Sequence, residues 1–141
     1  MKTSQKGLTL VESEEGLRLQ TYLDTVGRAT IGYGHLILSG ESYTNGITQA
    51  EAQSILAIDI EKVENALNAL ELNLNQNQFD ALIDFGFNLG TGALKQLLGH
   101  GLAQLPTQIV RWDHAGANVS GPLLKRRQTE LALFQTPVTS D

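Results

Sequence analysis

The sequence predicts an α+β chain of two lobes, a small β-rich N-terminal lobe joined by a long helix to an all-helical C-terminal lobe. Three observations predict it. Glycines crowd among β-branched and aromatic residues across 17–46, a capping box opens a long apolar-periodic run at Thr48, and the segments beyond that run carry helical spacing. With 141 residues, 41% of them hydrophobic, the chain suits a single domain with its own core.

Residues 1–16 read as a first helix from about Thr3 to Glu15, with Leu8 and Val11 on its apolar side and Gly16 as its stop. In 17–46, Thr21, Tyr22, Thr30, Ile31 and Tyr33 favour strands, while Gly27, Gly32, Gly34, Gly40 and Asn45-Gly46 supply turns. So little bulk cannot make a core, and this lobe must pack on something else or form one wall of a groove. Thr48 and Glu51 form the capping box, with Ile47 as the staple, and Leu56, Ile60, Val63, Leu67 and Leu70 repeat at helical spacing, which predicts the connecting helix over 48–70.

The helical lobe is assigned to 71–134. An amide-rich break at Asn73–Asn77 precedes a largely buried helix carrying Phe79, Leu82, Ile83 and Phe87, stopped by Gly90. Short helices follow near 93–98, 106–114 and 122–134, the last opened by Ser120-Gly121-Pro122, and residues 135–141 read as a loose tail.

Composition excludes several classes of function. Ten basic residues against 15 acidic ones give a net charge of −5, which argues against a broad nucleic-acid surface. Without cysteine there is no disulfide or thiolate metal ligand, and His35, His100 and His114 lack metal-ligand spacing, so neither metal nor cofactor is expected. The N-terminus lacks the apolar stretch of a signal peptide, and no later stretch reaches membrane-spanning length. A monomer made in the cytoplasm, without membrane insertion, is the expectation.

Glu15, at the end of a helix with apolar packing, and Asp24, in the wet turns of the β lobe, sit where their environments push them toward opposite protonation states. Such a pair is what glycoside hydrolysis needs, one acid for the leaving oxygen and one carboxylate for the water or the anomeric carbon. On these residues alone, however, Glu12, Glu14 and Glu15 read as three solvated surface acids, and Thr30 as a plain strand residue.

Glu15-Gly16-Leu17-Arg18-Leu19, Tyr22, Asp24 and Thr30-Ile31-Gly32-Tyr33-Gly34-His35 closely resemble the active-site segment of the phage-type lysozymes of glycoside hydrolase family 24, which include those of T-even phages and the endolysins of lambdoid phages. The spacing Glu, eight residues, Asp or Cys, five residues, Thr is reproduced by Glu15, Asp24 and Thr30. The resemblance continues through Gln76–Leu82, Phe85–Gly90, Arg111-Trp112 and Gly121–Glu130, and thins at Thr91–Ile109, which is shorter than in typical lambdoid members.

The resemblance implies the two-lobed lysozyme fold and a muramidase acting on peptidoglycan glycan strands by inversion. Glu15 would be the general acid, Asp24 the carboxylate that activates water and Thr30 the hydroxyl that orients it. Leu36, Phe87 and Asn88 match positions near the cleft, though core packing suits the apolar two as well. His35 matches a histidine that stabilises the β lobe. Arg126 and Arg127 would pair with Glu14 or Glu15, or else form an exposed basic stripe on the last helix. Trp112 reads as core of the helical lobe rather than a sugar platform. A phage enzyme of this kind, lacking an export signal, would await a holin. The rival readings are a lytic transglycosylase, which leaves an anhydro-sugar, and a catalytically weak peptidoglycan-binding domain.

Overall fold

A computed structural model describes residues 1–139. Helix α1 (Gln5–Glu15) precedes an antiparallel sheet of β1 (Arg18–Leu23), β2 (Ala29–Gly32) and β3 (His35–Leu36), in that spatial order. Helix α2 (Gln49–Asn68) leads to α3 (Gln76–Leu89), α4 (Thr91–Leu98) and α5 (Leu105–Ile109). A ribbon of β4 (His114–Ala115) and β5 (Asn118–Val119) then precedes α6 (Gly121–Phe134). No helix among the described residues is long and apolar enough to cross a membrane.

Local chemistry sets the helix ends. The Ser4 side chain accepts from the Gly7 N–H, so α1 starts two residues later than Thr3, and Gly16, at φ 72°, donates its N–H to the Glu12 carbonyl and ends it. Thr48 and Glu51 make the predicted capping box on α2, whose Ala52, Leu56, Ile60, Val63 and Leu67 are buried, whereas Leu70 lies past the helix end at 36% exposure. The amide-rich break hides a second capping box, in which Asn75 and Gln78 each satisfy the other's backbone. Helix α3 is buried on nearly all sides by Phe79, Ala81, Leu82, Ile83 and Phe85.

Two small residues bring helices close to α3. A Cβ on Gly86 would stand 2.6 Å from Val63 Cγ1 of α2, and one on Gly7 would stand 2.7 Å from Asp80 Cγ. Asp80 accepts from the Ser4 N–H at 3.0 Å and from the Ser4 hydroxyl, which fastens the start of α1 to α3.

Three expectations for the C-terminal lobe are corrected. It is not all-helical, because the helix expected over 106–114 stops at Ile109 and the chain returns as the β4–β5 ribbon. Gly116, at φ 65°, makes the two-residue turn, and the Ser120 N–H closes the ribbon's base on the Asp113 carbonyl at 2.7 Å. Nor is the start of the tail loose, since Asn77 Nδ2 donates to the Thr136 carbonyl at 3.0 Å. Residues 140–141 of that tail lie outside the described residues.

His35 ties the β lobe to the connecting helix. Its Nδ1 lies 2.7 Å from Asp59 Oδ2 on α2, and its Nε2 lies 3.0 Å from Glu41 Oε1. Burial lowers the His35 pKa, but hydrogen bonds and charge from Glu41 and Asp59 outweigh it, so the net shift is upward. The Leu38 N–H and His35 hold Glu41 below its usual range. The histidine's contribution is full below its ordinary value of 6.5 and is lost as pH rises through its folded value, while that of Glu41 is full above 4.5 and lost on acidification. His35→Asn should therefore lower Tm by about 5 °C near pH 5.5 and by less near pH 8, as thermal melts across pH would show.

Candidate active site

A cleft of about 600 Å³ runs between the sheet and the helical lobe. It gathers Glu15, Asp24, Thr30, His35, Leu36, Phe87 and Asn88 on one surface, although they span the chain from α1 to α3. Arg126 and Arg127 lie behind that surface, buried in the helical lobe.

Glu15 is the last residue of α1, and the Gly16 turn directs the chain away immediately after it. Arg126 Nη1 donates to its Oε2 at 2.7 Å, with the carboxyl side chain 18% exposed. Burial raises the Glu15 pKa, the charge and hydrogen bond of Arg126 oppose the rise, and Asp84 and Glu14 add to it, leaving a net upward shift. Tyr22 of β1, also in the cleft, has its phenol pushed up by burial and by the charge of Glu15.

Asp24 is set up in the opposite way. It begins the β1–β2 turn, where Oδ1 accepts from the N–H groups of Val26 at 3.0 Å and Arg28 at 2.8 Å, and Oδ2 accepts from Arg28 Nε at 2.9 Å. The Arg28 N–H is the largest of the influences that hold this carboxyl below its usual range, against a smaller upward push from desolvation. Thr30 follows on β2, 2% exposed, and its hydroxyl donates to the Arg28 carbonyl at 2.8 Å. With its proton committed there, Oγ1 is left as an acceptor.

The two arginines behave differently from each other. Arg126 reaches Glu15, but Arg127 reaches neither Glu14 nor Glu15. It bonds Glu130 through Nε at 2.6 Å and Nη2 at 2.8 Å, and Nη2 also donates to Asn88 Oδ1 at 2.8 Å. Both are buried, at 7% and 0% exposure, so the basic-stripe alternative is overturned. The reason is helical spacing: Arg126, Arg127, Glu130 and Phe134 share the inward face of α6, where apolar residues would ordinarily sit. Leu36, opposite Thr30 in the β2–β3 register, and Phe87 both line the cleft; Leu36 is exposed, whereas Phe87 is half-buried and also packs against the core. Trp112 is half-buried, edge-on to Phe85 at 5.7 Å.

Sequence reasoning missed Arg28, which orders Asp24, and the buried acids Asp84 and Glu130. Arg28 stands four residues after Asp24 across a glycine turn, which is a usable signal, whereas isolated acids within apolar helices give none. Gly34, a turn glycine in the sequence, also meets the acid. Gly34 has φ 73°, and a Cβ there would overlap Glu15 Oε1 and lie 3.1 Å from its Cδ. The β2–β3 turn thus presses its backbone against the acid. Gly34→Ala is expected to displace the Glu15 carboxyl and lower kcat by about 10²-fold with KM little changed, read by steady-state kinetics on soluble glycan.

The model of the family described as phage lysozyme matches residues 12–130. The endolysin of Salmonella phage P22 is 38% identical over 144 residues, covering 95% of this chain and 98% of the relative. That of Bacillus phage PZA is 37% identical over 145 residues, 96% of this chain but 56% of the relative. The chain thus spans about half the length of the Bacillus phage relatives, of which a second, from phage B103, is covered over 55%. Among solved structures, the muramidase domain of SpmX from Asticaccaulis excentricus superposes with a TM-score of 0.84 at 36% identity, covering 96% of this chain and 99% of that one. A mutant P22 lysozyme superposes with a TM-score of 0.79 at 35% identity, with the same coverages.

Proposed function

The chain belongs to the phage lysozyme family, and from that membership we propose that it hydrolyses the β-1,4 bond between N-acetylmuramic acid and N-acetylglucosamine in bacterial peptidoglycan. The observation that carries the reading is the pair Glu15 and Asp24 in one cleft, the first shifted toward holding its proton and the second toward losing it.

Glu15 gives its proton to the glycosidic oxygen as the bond to the anomeric carbon breaks, so the leaving sugar departs as an alcohol. A water on the far face donates one hydrogen to the free acceptor side of Thr30 Oγ1 and the other to the Asp24 carboxylate. Its lone pair is thereby aimed at the anomeric carbon, and as the new bond forms Asp24 takes the proton. Attack opposite the leaving group inverts the configuration. Phe87 and Leu36 supply apolar floor for sugar faces, and Asn88, steadied by Arg127, a polar edge. The chain acts as a monomer on glycan strands, without metal or cofactor, made in the host cytoplasm and released to the wall through a holin.

Product analysis tests this. Digested glycan should gain one water per cleavage by mass spectrometry, and first-turnover proton NMR should show the inverted anomer. Anhydro-sugar ends would mean a lytic transglycosylase, sugars of retained configuration would refute inversion, and binding to peptidoglycan with no sugar released would mean a binding domain.

A further inference from the structure

Arg126 divides its guanidinium unevenly between two acids. Nε and Nη2 each donate to Asp84 at 2.9 Å, whereas Nη1 alone reaches Glu15. Asp84 and Glu130 are fully buried beside the same guanidinium, Asp84 accepting from Nε and Nη2 of Arg126 and Glu130 Oε2 lying 4.0 Å from its Nε. Two carboxyls in such contact do not both ionise. The proton belongs to Glu130, pushed up by burial and by the neighbouring Asp84, with Arg127 opposing. Burial also pushes on Asp84, but the neighbouring Glu130 and the two-point hold of Arg126 outweigh it and keep it ionised.

We propose that Asp84 is a positioning residue for the acid: by holding Arg126 on two N–H groups and carrying the one negative charge of the Asp84–Glu130 pair, it limits the guanidinium's hold on Glu15 to a single hydrogen bond and so preserves a transferable proton there. This deepens, and rests on, the reading of Glu15 as the acid. Asp84 is fully buried and touches no substrate, so it acts through Arg126. The charged and titratable groups around Glu15 are Glu14 on α1, Tyr22 on β1, Asp84 on α3 and Arg126 on α6, with Glu130 and Arg127 behind Asp84. Of these acids, Asp84 shares Arg126 with Glu15 directly.

Carboxyl-carbon NMR titration of Glu15 in the full chain tests this without requiring turnover. Glu130→Gln should leave the Glu15 midpoint unchanged, because an amide replaces an acid that is already neutral. Asp84→Asn alone should lower it in part, since the amide offers Arg126 one acceptor in place of two while the pair's charge moves to Glu130, which lies 4.0 Å from Arg126 Nε. The double variant should lower the midpoint by about one pH unit or more, and the alkaline limb of the pH–rate profile should move with it. A folded double variant with an unmoved midpoint overturns the proposal. Should the double variant not fold, the wild-type spectrum decides, because a Glu130 carboxyl that titrates in the ordinary acidic range also overturns it. Failure of Glu15 as the acid would be visible separately, as glycan release that survives Glu15→Gln.

Discussion

Glu15→Gln is expected to lower glycan release by about 10³-fold or more, with KM for soluble glycan close to that of the wild type. The amide has the size of the acid, and its oxygen can still accept from Arg126 Nη1, so the side chain should stay where it is. What it lacks is a proton to give. The sign of the stability change separates this loss from misfolding. A carboxyl whose folded pKa is raised contributes stability that is full below its unfolded value and is lost as pH rises through the folded one. Burial disfavours the ionised form of Glu15, and a neutral amide never takes that form. Tm at pH 7 should be equal or higher in the variant, and a variant that is both inactive and markedly less stable would argue against an acid role.

Arg127→Met should have the largest effect on stability, a loss of about 3–5 kcal/mol or roughly 10 °C in Tm by calorimetry. The arginine is fully buried, bonds Glu130 at two points, holds Asn88 and lies 5.0 Å from the centre of the Phe85 ring. Methionine fills much of the volume but answers none of those polar groups. Two buried acids would remain with Arg126 as their sole close cation among the described residues, and burying an unanswered polar group is more costly than losing the bond itself. Activity measured well below Tm should fall far less than in Glu15→Gln, because Arg127 meets the cleft only through Asn88.

Much of the architecture is legible in the sequence because it is written in local chemistry. The Thr48–Glu51 box, the Gly16 stop and the alternation of glycines with strand formers in 17–46 each act within a few residues. What escapes is of two kinds. The β4–β5 ribbon has two residues per strand, all exposed, so it carries neither alternation nor hydrophobicity to mark it. The network of Asp84, Arg126, Arg127 and Glu130 inverts the usual signal, since charges at core positions read as surface until their partners on another helix are known. Spacing picks out Glu15, Asp24 and Thr30 as candidates and leaves Arg28 within a short window of Asp24, but the contact of Gly34 with Glu15 depends on tertiary packing that no short window encodes.

The fastening of α1 to α3 through Ser4, Gly7 and Asp80 has a mechanical consequence. Glu15 rides at the far end of a helix anchored in the helical lobe, while Asp24 and Thr30 ride on the sheet. The proposed proton donor and the proposed water-holding pair therefore stand on different elements, which meet where the Gly34 backbone of the β2–β3 turn presses against Glu15. A sugar chain long enough to touch both elements would meet donor and water-holding pair together, whereas a short one that touches a single element would be bound without being placed for cleavage.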